Sequence, residues 1–83
     1  IQKGISPNND GKNDFFDLSS FNVSKLEIFN RYGTKVYSRS NYSNEWYGDS
    51  DSGEELPSGT YFYSVELNDS EPKTGWIYIN REQ

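Results

Sequence analysis

The chain has 83 residues, enough for one small domain with a moderate core. It contains neither histidine nor cysteine, so a disulfide framework is excluded and most residues used in acid–base or nucleophilic catalysis are missing. The formal net charge of −5 argues against nucleic-acid binding, which requires a basic face. No apolar run reaches the roughly 18 residues of a membrane span. We therefore expect a non-catalytic domain with no nucleic-acid partner and no transmembrane segment.

Short strands separated by polar turns account for most of the chain, which is typical of an all-β domain. In chain order we predict an edge strand at residues 1–5, an apolar piece at 15–18, a hairpin at 26–37, and strands at 60–67 and 74–80. Six or seven such strands with regular turns predict an antiparallel sandwich. No linker or repeat divides the chain, so we expect residues 1–83 to be a single domain cut from a longer protein.

The hairpin at 26–37 is the clearest local prediction. A three-residue loop at 31–33 would bring Ile28 opposite Val36, so that the aliphatic side chains of both strands share one face. This loop type requires a residue with positive φ at its end, and Gly33 stands at that position.

The inward-facing side chains follow from the two-residue alternation along the predicted strands. The connection at 38–58 is polar and unusually long, and Trp46 is expected to anchor it and to close one end of the core. The predicted inward set is Leu26, Ile28, Val36, Tyr61, Tyr63, Val65, Leu67, Ile77 and Ile79.

A candidate calcium site lies in the turn-rich stretch at 6–14. Oxygen-bearing side chains at Asn8, Asp10 and Asp14 resemble the first half of a calcium loop. The alternative is a set of turns in which Asn and Asp side chains bond their own backbone, without a metal. No cofactor is required by either interpretation. The acidic stretch at 49–55 is a weaker calcium candidate and is better explained as a solvated loop.

Aromatic side chains form a second group of candidates. Rings at Tyr32, Trp46, Tyr47, Trp76 and Tyr78 could stack on sugars, but in a chain poor in aliphatic residues they are expected mainly in the core. Trp76 and Tyr78 are the exception. They face away from the predicted inward isoleucines of the last strand, and they are the candidate residues for glycan stacking.

Four stretches of the sequence, taken together and in order, resemble a known family. They are residues 6–14 (SPNNDGKND), 28–37 (IFNRYGTKVY), 56–63 (LPSGTYFY) and 75–81 (GWIYINR). The chain resembles the gliding-motility-associated C-terminal domain, the type B sorting domain of the type IX secretion system. The resemblance spans nearly the whole chain.

The resemblance implies an immunoglobulin-like β-sandwich of about seven short strands. It also implies a C-terminal sorting domain that directs a large cargo protein across the outer membrane of a Gram-negative bacterium, to the cell surface or the medium. The implied partners are outer-membrane translocon components and a dedicated outer-membrane partner protein. We expect the isolated domain to be a monomer. The alternative function is an extracellular adhesive or carbohydrate-binding module, stabilised by calcium.

The turn at Arg31, Tyr32 and Gly33 is the predicted partner-binding site. Turns lie on the surface, and Arg and Tyr are strong interface anchors. The competing explanation is local: Gly33 would serve only its backbone geometry, and Arg31 would pair with a nearby acid.

Overall fold

The computed structural model describes residues 3–6 and 14–81, and within them the chain forms strands and no helix. The strands are β1 (Gly4–Ile5), β2 (Val23–Phe29), β3 (Lys35–Ser40), β4 (Gly59–Leu67) and β5 (Lys73–Ile79). They form a single sheet in the order β1-β5-β4-β2-β3. The all-β class is confirmed. The described part of the chain has five strands rather than about seven.

The sheet is mixed rather than wholly antiparallel. The edge strand predicted at residues 1–5 is confirmed at Gly4–Ile5 as β1, and residues 1 and 2 lie outside the described part of the chain. It runs parallel to β5, with Gly4 opposite Tyr78 and Ile5 opposite Ile79. The other neighbouring strands are antiparallel. The Ile5 side chain is buried in the core, and its packing there holds this short strand at the edge of the sheet.

The core lies on one face of this sheet, and the alternation of side chains produces it. Leu26 and Ile28 are fully buried on β2, while Glu27 between them points to the other face. There Glu27 forms ion pairs with Lys25 and Lys35, at 3.8 and 3.2 Å. The predicted inward set is confirmed, with Val36 and Leu67 partly buried at its margin.

The register of the hairpin differs from the prediction. Asn30 donates its backbone N–H to the Thr34 carbonyl oxygen as expected for the three-residue loop. However, a β-bulge follows, and Ile28 lies opposite Tyr37 instead of Val36. A bulge sets two residues of one strand against one of its partner. It lets the Tyr37 ring enter the core, 6.0 Å from Trp46, while Val36 still packs against the core margin.

A second layer without regular strands covers the inner face of the sheet. It is built from two segments, residues 14–22 and 41–58, which are hydrogen-bonded to each other. Phe16 donates its N–H to the Trp46 carbonyl oxygen, and the Tyr42 hydroxyl donates to the Phe16 carbonyl oxygen at 2.6 Å. Trp46 is fully buried in this layer, as predicted. The arrangement is sandwich-like, with a sheet on one side and packed loops on the other.

Candidate functional site

Asn30 closes the turn between β2 and β3 through its side chain. The Asn30 side-chain oxygen accepts hydrogen bonds from the backbone N–H groups of Tyr32 and Thr34, at 2.9 and 3.0 Å. Gly33 has a φ of +83°, which a residue with a Cβ adopts only under strain. The Tyr32 side chain projects from this turn and is 77% exposed. The predicted three-residue turn and the positive φ of Gly33 are confirmed, and the partner-binding role of Arg31, Tyr32 and Gly33 stays a prediction.

Arg31 is held against its neighbour rather than against an acid. Its guanidinium donates a hydrogen bond to the Tyr32 hydroxyl at 2.9 Å and lies 5.0 Å from the centre of the Tyr32 ring. Over residues 3–6 and 14–81, the ion pairs within 4 Å involve other cations, namely Lys25, Lys35, Arg39 and Arg81. The competing idea that Arg31 pairs with a local acid is therefore wrong for this part of the chain.

A groove of about 370 Å³ lies beside the turn. We call it the turn groove. One wall consists of Arg31 and Tyr32, and the other is the segment from Leu56 to Tyr61. Its volume is at the lower end of the roughly 300–1,000 Å³ of ordinary ligand pockets, so it fits one or two side chains.

Arg81 holds the second wall in place. Its Nε donates to the Leu56 carbonyl oxygen, and a terminal nitrogen donates to the Gly48 carbonyl oxygen at 2.7 Å. Its backbone N–H donates to the Ser58 hydroxyl oxygen at 3.0 Å. Sequence reasoning did not identify Arg81 as a site residue. Its only signal was its place at the end of the motif at 75–81.

The electrostatics of the turn groove are set by two arginines. Burial raises the pKa of the Tyr61 hydroxyl, and the positive charges of Arg81 and Arg31 oppose that rise. Arg81 is balanced by Glu55, 3.5 Å away, whereas the Arg31 charge faces outward. Among the described residues, Arg31 has no ion-pair partner, so this part of the chain gives the turn groove one unpaired positive charge at its rim.

The candidate calcium site falls mostly outside the described residues. Asn8 and Asp10 lie there, and the structure describes only Asp14, which is half-buried. Among the described residues, no three acidic side chains come together in a metal-binding cluster. In the stretch at 49–55 the carboxylates diverge: Asp51 accepts a hydrogen bond from the Ser38 N–H, and Glu55 faces Arg81. The calcium hypothesis at residues 8–14 stays a prediction.

The aromatic candidates separate into different places. Trp46 is in the core as expected, but Tyr32 and Tyr47 are exposed, which corrects the expectation that they are core residues. Tyr32 is at the tip of a turn, and Tyr47 packs only edge-on against Phe15, 6.4 Å between ring centres.

Trp76 and Tyr78 lie together on the open face of the sheet, 44% and 43% exposed. Phe62 is directly opposite Trp76 on β4, and Phe29 is opposite Phe62 on β2, so a row of rings crosses three strands. The Lys3 ammonium lies 5.0 Å from the centre of the Trp76 ring. This face has the exposed pair of rings that glycan stacking requires, and stacking itself stays a prediction.

Comparison with known protein families identifies the family of the chain. No curated protein matches the chain. None of the described residues belongs to a helix that is long and apolar enough to cross a membrane. The family model of the CHU_C type IX secretion signal domain matches residues 1–79, which is nearly the whole chain. A type IX secretion signal directs export across the outer membrane, to the cell surface or the medium, through contact with the secretion machinery. The chain belongs to this family of sorting signals.

Proposed function

We propose that the domain is a non-catalytic sorting signal, recognised as a folded surface, and that the turn groove is its recognition site. The partners would be translocon components and a dedicated outer-membrane partner protein, which bind the domain as a monomer. The sequence supports the non-catalytic role because it lacks both histidine and cysteine.

One observation supports the turn groove as the recognition site. Two of the four family-like motifs line the turn groove, and a third holds one of its walls in place. The motif at 28–37 supplies Arg31 and Tyr32, the motif at 56–63 supplies the opposite wall, and the motif at 75–81 supplies Arg81. These motifs are far apart in sequence, so they form one surface only after folding. A surface of this kind supports recognition of the folded domain over recognition of a linear tag.

The chemistry of the wall at Arg31 and Tyr32 also suits a partner contact. An exposed Tyr ring and a guanidinium are among the side chains that contribute most at protein interfaces. Their mutual hydrogen bond restricts both side chains before binding, which reduces the entropy lost when a partner docks.

The proposal can be tested by export of a reporter. Residues 1–83 are fused to the carboxy terminus of a periplasmic reporter, in a host with a type IX secretion system and the dedicated partner supplied. The fusion should reach the medium or the cell surface, and should stay in the periplasm when the system is deleted. Arg31→Ala should abolish export while the melting temperature of the purified domain is unchanged, because the side chain is exposed.

Arg39→Ala is the matched control. Arg39 is also an exposed arginine, but it lies on β3 and already pairs with Glu45 at 3.5 Å. Its loss should leave export intact. Export that survives Arg31→Ala in a folded domain would exclude the turn groove as the recognition site. Failure of the unaltered fusion with the partner present would contradict the sorting function itself.

A further inference from the structure

We propose that the turn groove binds an extended segment of a partner protein in which a large apolar side chain stands next to a carboxylate. This inference rests on the proposed function, because it names the chemistry that the same site would recognise. The apolar side chain would enter the groove, and the carboxylate would pair with Arg31 at the rim.

The interior of the turn groove selects an apolar side chain. Leu56, Pro57 and Tyr61 contribute apolar surface there. Two of the polar groups beside them are already hydrogen-bonded: the Tyr61 hydroxyl donates to the Pro57 carbonyl oxygen at 2.8 Å, and the Asn30 side-chain oxygen accepts two backbone N–H groups. A polar side chain would lose its hydration in the groove without gaining equivalent hydrogen bonds, whereas an apolar one gains by leaving water.

The rim selects a carboxylate. The Arg31 guanidinium has five N–H donors, and it donates to the Tyr32 hydroxyl. No carboxylate of the described chain lies within 4 Å of it, and the groove's nearest acid neighbour in sequence, Glu55, faces Arg81. The planar fork of an arginine matches a carboxylate with two parallel hydrogen bonds. An acidic side chain from outside the domain is therefore the complementary group.

The net charge of the chain excludes further classes of binding partner. A net charge of −5 repels polyanions, so a single guanidinium does not make a site for nucleic acid or for a densely phosphorylated surface. A peptide with one carboxylate beside an apolar anchor carries too little charge to be repelled strongly. The overall charge favours partners that are neutral or basic as a whole, and Arg31 would fix their orientation through one acid.

Selection from a random peptide library tests this inference. The folded 83-residue chain is the bait, and peptides that also bind Arg31→Gln are removed in a parallel round. We expect the remaining peptides to share an Asp or Glu adjacent to a Leu, Ile, Phe, Tyr or Trp. Peptides without an acid, or no Arg31-dependent peptides at all, would overturn the inference.

A selected peptide then measures how much the carboxylate contributes to binding. Replacing its acid by the matching amide should weaken binding to the wild-type chain about tenfold or more, as expected for a charge-assisted hydrogen-bonded pair. The same replacement should have no effect on binding to Arg31→Gln. Equal binding of acid and amide peptides to the wild-type chain would contradict the role of the carboxylate. Failure of this inference can be told apart from failure of the proposed function. If export depends on Arg31 but the selected peptides show no preference for an acid beside an apolar residue, only this inference is refuted.

Discussion

Arg81 donates a hydrogen bond from its Nε to the carbonyl oxygen of Leu56, 25 residues earlier in the chain. The same guanidinium also bonds the Gly48 carbonyl oxygen, so one side chain ties both ends of the acidic stretch to the end of β5. Carbonyl oxygens of a loop need partners when water is excluded, and a partly buried arginine such as Arg81 can satisfy several at once. The second wall of the turn groove therefore depends on a residue outside the groove.

Arg81→Ala should destabilise the domain by about 2–4 kcal/mol, because two charge-assisted hydrogen bonds are lost and the Leu56 carbonyl group loses its partner. The Gly48 carbonyl oxygen keeps the hydrogen bond from the Leu56 N–H. Denaturant unfolding measures the change in the free energy of unfolding. Limited proteolysis should show faster cleavage between Gly48 and Leu56. Arg39→Ala is the control and should cost less than about 1 kcal/mol, since its single ion pair is exposed. Equal effects of the two substitutions would contradict the role assigned to Arg81.

Much of the sheet could be predicted from the sequence because each strand has one polar and one apolar face. The alternation in β4 and β5 identified Tyr61, Tyr63, Val65, Ile77 and Ile79 as inward, and all are buried. The turn at Gly33 was also predictable, because its conformation depends on residues adjacent in sequence.

The features that sequence reasoning missed depend on contacts between distant segments. The bulge that sets Ile28 opposite Tyr37 accompanies packing of Tyr37 on Trp46, a residue of the covering layer. The Arg81 contacts reach backbone carbonyl groups, which every residue has, so their positions leave no mark in the sequence. The turn was predictable as one wall of the site, whereas the groove itself was not.

Gly75 is predicted to be required for packing rather than for backbone freedom. It lies opposite Tyr63, and a Cβ at this position would come within 2.7 Å of the Tyr63 Cζ. Gly75→Ala should cost about 1–3 kcal/mol through overpacking. The double variant with Tyr63→Ala should cost less than the sum of the single changes, because the clash disappears.

Gly33→Ala is the contrasting control for that experiment. Apart from Gly33 itself and its two chain neighbours, no residue that the structure describes has a heavy atom within 4 Å of a Cβ built at Gly33, but its φ of +83° strains a residue with a side chain. Its cost of about 1–2 kcal/mol should be unaffected by Tyr63→Ala. Strict additivity of Gly75→Ala and Tyr63→Ala would show that the two side chains do not interfere.

The open face gives a prediction for glycan stacking. Trp46 is fully buried and Trp76 is 44% exposed, so a sugar that stacks on this face should change only the Trp76 fluorescence. Titration with soluble bacterial surface polysaccharides should quench it, and Trp76→Ala should remove the response without unfolding the domain. Tyr47→Ala, which removes an exposed ring elsewhere, is the control. Quenching that persists in Trp76→Ala, or none with any polysaccharide, contradicts stacking at this site.

The calcium hypothesis gives a prediction for thermal stability. Calcium bound at Asn8, Asp10 and Asp14 should raise the melting temperature in millimolar calcium relative to chelator, because a ligand that binds only the folded state stabilises it. Asp10→Asn should remove the difference. Asp69→Asn, in the turn between β4 and β5, should retain it. The same melting temperature in calcium and in chelator would mean that turns alone hold this loop.

The stability of the domain should fall at alkaline pH because its core contains tyrosine hydroxyl groups. Burial raises the pKa of Tyr42 above the usual tyrosine value of about 10, and it acts in the same direction on Tyr37, Tyr61 and Tyr63. Since these pKa values are higher in the folded state than in the unfolded state, the neutral hydroxyl groups favour folding fully below pH ~10. That contribution is lost as the pH rises above this value.

The melting temperature should therefore be steady at moderately alkaline pH and drop above pH ~10, with tyrosinate absorbance appearing together with unfolding. Tyr42 should contribute most to this pH dependence. Its hydroxyl donates a hydrogen bond to the Phe16 carbonyl oxygen and accepts one from the backbone N–H of Trp46, inside the covering layer. Tyr42→Phe should lower the free energy of unfolding at neutral pH by about 1–3 kcal/mol and make the alkaline decline shallower. Tyr32→Phe, on the exposed turn, should change neither the free energy of unfolding at neutral pH nor the steepness of the alkaline decline. Tyrosinate signals from the buried rings in a domain that remains folded near pH ~10 would contradict this account.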